Sequence, residues 1–315
     1  MHRPRFTLAD VVVVTVVAAL FVGVGLPVAS NARSYGNQCA ANLRQLGIAL
    51  LLYSQTNRGA YPRTRADVDL GQWVAYTGAM APNPFADGGP APNDVTAAMF
   101  LLLRTQQLKP DAFVCPNTTA IVPWNYGGRS YTAADRSNFP SGLHLSYSYA
   151  NPYPDAAAIK SGYHLNNSTS AEMAVMADMN PGVPGLLTTT ADAPPRMLEV
   201  LQTRNHRRGR GQSVMFGDGH VETLLTPFVG VARDNIYTFG PSGTTSGGAG
   251  IIGSPTHAGD SVLLPVATVH PGAPRGMAGE SSPRPRWPLY LGLFTLVAIA
   301  VLARRWVNRK RAASA

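Results

Sequence analysis

An apolar run of more than twenty residues, Thr7 to Ala29, lies near the start of the chain and restricts its possible folds. As a helix, such a run is long enough to cross the roughly 30 Å hydrocarbon core of a bilayer. It carries one carboxylate, Asp10, although a charge in hydrocarbon costs about 2.5–3.5 kcal/mol even on lenient insertion scales. The sequence therefore predicts a transmembrane helix over 6–29, preceded by a basic cytoplasmic end at 1–5. A cleaved signal peptide is the rival interpretation, because Ser30-Asn31-Ala32 is an acceptable cleavage site.

A second apolar run, 287–303, is bordered by aromatic residues and followed by the basic tail 304–315. This pattern is typical of a transmembrane helix whose basic end lies in the cytoplasm. Seven of the cations behind the formal net charge of +9 lie at the two ends of the chain, so we expect the lipid bilayer as a partner and no nucleic acid. The predicted location is the cytoplasmic (inner) membrane, with both termini cytoplasmic and the main domain periplasmic. Removal of the tail as a sorting signal is the alternative.

The body of the chain, 30–239, mixes two periodicities. Apolar residues recur at three- and four-residue steps from Cys39 to Tyr53, which predicts a helix that continues the membrane segment to about Asn57. Further patterns predict a helix over Asp94–Gln107, strands at His144–Ala150 and Met173–Ala177, and a hairpin formed by Ser213–Phe216 and His220–Leu225. The fold class is therefore α+β, with a long N-terminal helix packed on an antiparallel sheet. The Gly/Pro/Ser-rich stretch 240–286 reads as a linker to the second membrane helix.

The chain has two cysteines, Cys39 and Cys115. Outside the cytoplasm they could form a disulfide, and closing so long a loop would stabilise the domain by about 4 kcal/mol in the chain-entropy model. Two unpaired buried thiols are the alternative. The periplasmic placement of the body favours the disulfide.

Several separated blocks resemble one family. The segment FTL-x-acid with its apolar run, from Phe6, resembles the N-terminal methylation segment of type IV pilins and type II secretion pseudopilins. The blocks Cys39–Pro62, Asn205–Glu222 and Asp234–Thr238 are similar to sequences of the large group of pseudopilin-like proteins of planctomycete-type bacteria. The resemblance covers about two thirds of the chain. It implies the pilin architecture and, as partners, other pseudopilin-like or secretion-system subunits.

The resemblance also implies roles at the N-terminus. Asp10 matches the acidic residue that pairs with the N-terminal amine of a neighbouring subunit, with Phe6 as the mature first residue. A carboxylate that meets water or nearby arginines at the membrane edge is the alternative. Arg5 stands where the prepilin peptidase expects glycine, so processing by that enzyme stays open. A second membrane helix would cost tens of kcal/mol to extract, so ordinary filament growth is not expected.

The densest set of possible metal ligands is His206, Asp218, His220 and Glu222, and the first three form the candidate metal site. If these side chains converge, calcium is the candidate ion, because the resemblance implies a calcium site in the C-terminal loop of related pseudopilins. The alternative is a hairpin that closes the sheet with His206 hydrogen-bonded to it, since Asp-Gly suits a positive-φ turn without any ligand. Asp178 is a further candidate site carboxylate, although its position before Asn180-Pro181 is more typical of a turn.

No nucleophile elbow, zinc-protease motif or phosphate loop occurs in the sequence, and we expect no enzymatic activity and no obligatory cofactor. The predicted function is that of a membrane-anchored, pseudopilin-like structural and interaction protein of a type II secretion or pilus-like envelope assembly. The alternative is an anchored periplasmic protein that binds calcium or a cell-surface polymer.

Overall fold

The computed structural model describes residues 38–118, 121–203, 205–206 and 210–267. The predicted membrane segments 6–29 and 287–303 lie outside these residues, as do Arg5, Phe6 and Asp10. Within the described part of the chain, none of the helices combines the length and the apolar character that a membrane crossing requires.

Helix α1 covers 38–56 and is the amphipathic stretch that the sequence predicts. Its three- and four-residue apolar spacing aligns one face toward the sheet, and the side chains on that face are buried: Cys39, Leu43, Leu46, Leu50 and Tyr53. Gly47 lies so close to Met215 of the sheet that a Cβ at residue 47 would come within 2.6 Å of Met215 Sδ. The helix ends at a turn in which Gly59 takes a φ of 84° and donates to the carbonyl of Ser54. The described part of α1 is therefore part of the domain and packs directly on its sheet.

Helix α2, Val95–Thr105, confirms the predicted helix and its cap. The Asp94 side chain accepts a hydrogen bond from the amide of Ala97 at 2.9 Å, which satisfies one of the free donors in the first turn. Three shorter helices follow along the chain: α3 (Ala156–Lys160), α4 (Gly185–Thr188) and α5 (Pro195–Glu199). Short 3-10 segments lie at Pro110–Phe113, Ala133–Asp135, Gly142–His144 and Val231–Arg233.

Five strands form one antiparallel sheet in the order β4-β3-β2-β1-β5. They are β1 (Tyr147–Ala150), β2 (Ala174–Asp178), β3 (Gln212–Phe216), β4 (Val221–Leu224) and β5 (Leu263–Leu264). The predicted hairpin is confirmed, since β3 pairs with β4 from Met215 opposite Val221 to Gln212 opposite Leu224. The α+β class is therefore confirmed for the described residues.

The sheet is covered on both faces in its central strands. Helices α1 and α2 share one apolar cluster with Tyr147 and Tyr149 of β1, whereas Ala150 packs in a second cluster with Tyr237 and Leu186 of α4. The prediction of a half-buried strand from His144 was therefore wrong in its start and its burial. Ser148 is fully buried because its hydroxyl donates to the carbonyl of Pro265 at 2.7 Å, which compensates the loss of water.

The predicted linker begins too early. Residues 240–267 belong to the domain: Val262 to Leu264 are fully buried, and β5 pairs with β1 at the edge of the sheet. The composition of 240–267 did not predict this strand, because β5 needs only one short apolar triplet in a segment that is otherwise rich in Gly, Pro and Ser. Buried hydrogen bonds also attach this segment to the domain: Asp260 accepts from the amide of Gly240, and the amide of Ser261 donates to Asp234. The rest of the predicted linker, 268–286, lies outside the described residues.

Candidate functional site

A disulfide joins α1 to the segment that follows the first 3-10 turn. Cys39 and Cys115 have Cα atoms 5.4 Å apart and are separated by 76 positions in the chain. Both residues are fully buried. The disulfide therefore holds the described start of α1 against the body of the domain, as the sequence favoured.

The carboxylate of Asp178 lies at the end of β2, fully buried. Its oxygens accept hydrogen bonds from the amide of Ser213 at 2.6 Å and from Asn205 Nδ2 at 3.0 Å. Burial raises the pKa of Asp178, and the neighbouring His206 and the two hydrogen bonds act in the opposite direction. Asp178 is thus an interior acceptor, not the turn residue that its sequence context suggested.

His206 lies between this carboxylate and the disulfide. Its Nδ1 is 3.6 Å from Asp178 Oδ2 and 3.1 Å from the carbonyl oxygen of Gly211, and its Nε2 is 3.7 Å from Cys115 Sγ. Only 4% of the side chain is exposed. One imidazole therefore connects the loop before β3, the end of β2 and the disulfide.

This buried group places four possible ligand atoms within 4.8 Å of one another, from Cys39, Cys115, Asp178 and His206. Sulfur binds metal as a thiolate, and the disulfide leaves neither sulfur in that form. In the oxidised protein the arrangement is consequently a structural fastening of helix, sheet and loop.

Asp218 and His220 form a second Asp–His pair, in the turn between β3 and β4. Asp218 Oδ1 accepts hydrogen bonds from the backbone amide of His220 at 3.0 Å and from its Nδ1, which lowers the pKa of Asp218. The His220 ring stacks on Phe216 with centroids 4.6 Å apart. About half of each side chain is exposed, 49% for Asp218 and 43% for His220.

The candidate ligands His206, Asp218 and His220 do not come together as one set in the described residues. His206 lies at the start of β3 and the other two lie past its end. A five-residue strand at about 3.3 Å per residue separates the two places by about 17 Å. A site built from all three residues is therefore not formed in the described part of the chain, and calcium binding by this chain stays a prediction.

Comparison of the chain with protein-family models, with curated proteins and with solved structures finds no match. The fold and site define an α+β domain in which a disulfide and a buried Asp–His pair fasten one long amphipathic helix to an antiparallel sheet.

Proposed function

We propose that this chain is a membrane-anchored, pseudopilin-like structural and interaction protein of a type II secretion or pilus-like envelope assembly. In this proposal it is held in the cytoplasmic membrane with its main domain periplasmic. It acts through contacts with related subunits and not through catalysis. The proposal rests on the sequence blocks described above and on one feature of α1.

That feature is a second apolar face on the helix. Opposite the buried face, Ile48, Leu51 and Leu52 lie on one side of α1 and are 60%, 39% and 47% exposed. Positions three and four apart are neighbours on a helix surface, so these side chains form a continuous stripe. Covering the stripe would contribute about 3 kcal/mol to an association, on the usual scale for half-exposed aliphatic side chains.

The attachment of α1 to the domain makes such a contact useful in an assembly. The buried face and the Cys39–Cys115 disulfide hold the helix in a fixed position on the sheet. A subunit that packs against the stripe would therefore position the whole periplasmic domain. We propose α1 of a second pseudopilin-like chain as the occupant, because a helix with the same kind of stripe offers a complementary apolar surface.

Site-specific photo-crosslinking in the native membrane tests this proposal. A photoreactive residue at Leu52 should crosslink to another pseudopilin-like subunit, whereas one at Ile159 should not. Ile159 is a matched control, because it is 52% exposed, aliphatic and helical, but lies on α3. Equal crosslinking at both positions, or none at Leu52, would contradict the proposal. Intact mass and terminal sequencing of the same sample would show whether the chain begins at Phe6.

A binding protein for calcium or a cell-surface polymer is the second candidate. The exposed pair in the hairpin favours it, since His220 Nε2 also lies 4.0 Å from Glu222 Oε1 and the three polar side chains face water together. A rise in melting temperature with millimolar calcium that is lost in Asp218→Asn would support this candidate. Unchanged melting would remove calcium as the ligand.

A further inference from the structure

A second set of possible metal ligands lies away from the disulfide, where the chain returns to form β5. Carboxylate oxygens of Asp234 and Asp260 and a ring nitrogen of His257 lie within 4.8 Å of one another. Asp234 follows the 3-10 turn Val231–Arg233, and Asp260 lies just before the apolar triplet that ends in β5. The group therefore joins two segments that are distant from each other in the sequence.

The two carboxylate oxygens of Asp260 differ in their hydrogen bonding: one accepts several hydrogen bonds and the other accepts none. Its Oδ2 accepts hydrogen bonds from the amides of Gly240 and Thr256 and from Thr256 Oγ1, at 2.8–2.9 Å. Its Oδ1 is buried and has no hydrogen-bond partner. A buried carboxylate oxygen left in this state costs free energy, because it has lost water and gained no donor.

The neighbouring residues add further buried polar atoms that lack hydrogen-bond partners or compensating charge. Asp234 is 3% exposed and accepts from Ser242 Oγ and from the amide of Ser261. Ser261 has a buried hydroxyl that also lacks a partner. Burial raises the pKa of Asp234 to about 7, and the charge of Asp260 acts in the same direction. Two buried carboxylates thus face each other with too few donors between them.

Arginine does not supply the missing positive charge from the adjacent position. Arg233 precedes Asp234, but its guanidinium binds Asp192 at 2.7 Å and the carbonyl of Ala191 at 2.8 Å. Of the groups in the cluster, His257 alone can carry a positive charge, and its side chain is partly exposed. A small cation reaching the site past His257 would satisfy both carboxylates.

We propose that Asp234, His257 and Asp260 bind a divalent metal ion of the zinc type. Zinc accepts imidazole nitrogen and carboxylate oxygen at about 2.0–2.2 Å, so the three ligand atoms need to close by about 1 Å around it. The imidazole favours zinc over calcium, which prefers an all-oxygen shell. The unpartnered Oδ1 of Asp260 supplies an available lone pair, and a carboxylate oxygen of Asp234 retains one beside its hydrogen bond.

The bound ion would fasten the segment that carries β5. Asp234 belongs to the body that includes the buried Tyr237, while His257 and Asp260 belong to the returning segment. Binding to the folded protein alone stabilises it by mass action. The site would thus stabilise the last described segment of the domain, and it is independent of the contacts proposed for α1.

Metal analysis of the full-length protein in detergent tests the site. The protein is purified without a polyhistidine tag, kept oxidised so that the buried sulfurs cannot compete, stripped with EDTA, and exposed to zinc, calcium or magnesium. We expect wild type to retain one zinc per chain after desalting. At a hundredfold excess of zinc over Kd, the melting temperature should rise by about 5–10 °C.

Variants assign the ion to these residues. His257→Gln, at a partly exposed position, should weaken zinc binding at least about 100-fold, and Asp260→Asn should do the same. His144→Gln is the matched control and should bind like wild type, since His144 is also partly exposed but belongs to no group of candidate ligands among the described residues. Failure of wild type to retain zinc, or retention by His257→Gln equal to wild type, would overturn the proposal. So would a calcium response that His257→Gln leaves intact, because that would indicate an oxygen-only site.

Discussion

The two Asp–His pairs of this domain have the same chemistry in opposite environments. Asp178 and His206 are buried against the disulfide, and their ring nitrogen and carboxylate oxygen are 3.6 Å apart. Asp218 and His220 are half exposed and are joined by a direct hydrogen bond within one turn. The pair in closer contact is thus the one that water surrounds.

This difference determines what each pair contributes. Burial raises the pKa of Asp178, whereas hydrogen bonds from His220 lower that of Asp218. Burial disfavours the charged form of Asp178 because the protein interior solvates charge poorly. Its donors are also enclosed, so removing it leaves them unpaired. The exposed carboxylate can be replaced by water. The comparison indicates that burial and enclosed partners, and not contact distance, set the importance of such a pair.

Removing the disulfide beside the buried pair should change the stability of the domain most. Cys115→Ala should lower the free energy of unfolding by about 4 kcal/mol, because the bond closes a loop of 76 positions. The melting temperature should fall by about 10 °C. Thermal melts followed by tryptophan fluorescence measure this change. Reduction of wild type with a dithiol is the control and should produce a similar loss. A variant that melts like oxidised wild type would show that the buried pair holds α1 without the bond.

Next in size is the matched carboxylate exchange. Asp178→Asn should destabilise the domain by about 3 kcal/mol, since one acceptor oxygen becomes an amide group facing the donors of Asn205 and Ser213. Asp218→Asn should cost less than about 0.5 kcal/mol, as expected for an exposed pair. Melting temperatures of the two variants test the comparison directly. Equal losses would contradict the conclusion that burial distinguishes the pairs.

The histidines should differ in the same direction but by less. His206→Ala should cost about 2 kcal/mol, because it removes a buried ring and its contacts with Gly211 and Cys115. His220→Ala loses stacking on Phe216 at the surface and should cost less than about 1 kcal/mol. Denaturant titrations of both variants measure the difference. A larger loss at His220 would indicate that the hairpin turn, and not the buried group, limits stability.

The smallest effect is the pH response of the exposed pair. The folded-state pKa of Asp218 is lowered, so its stabilising contribution is present above the unfolded value of 3.8 and is lost as pH falls through the folded value. Wild type should therefore exceed Asp218→Asn by a few tenths of a kcal/mol near pH 7 and lose that margin below about pH 3.8. Melting temperatures between pH 2.5 and 7 measure it. A margin that grows as pH falls below about 3.8 would contradict the assigned direction.

Much of the fold could be predicted from local patterns. The spacing from Cys39 to Tyr53 predicted α1, Asp94 predicted the start of α2, and Gly217-Asp218-Gly219 predicted the hairpin. The burial of Ser148 could not be predicted, because its carbonyl partner at Pro265 comes from a part of the chain that composition assigned to a linker.

The candidate site was less predictable than the fold. The sequence led us to expect His206 beside Asp218 and His220, or hydrogen-bonded to their hairpin. Strand β3 separates His206 from the turn that holds Asp218 and His220. The side chains in contact with His206 are those of Asp178 and Cys115. The sequence signal for this pair is a carboxylate at the end of an apolar run, as at Asp178.

Local sequence is enough to predict the features that arise within a few residues: the helical and strand periodicities, the cap of α2, the turn of the hairpin and the two apolar runs. Which distant residues meet depends on the tertiary fold. It places His206 on Asp178, brings His257 and Asp260 to Asp234, and makes 240–267 part of the sheet domain. The physical reason is the distance along the chain over which each interaction acts. Helical and strand periods depend on neighbouring dihedral angles, whereas these contacts depend on the order of strands and on where the chain returns.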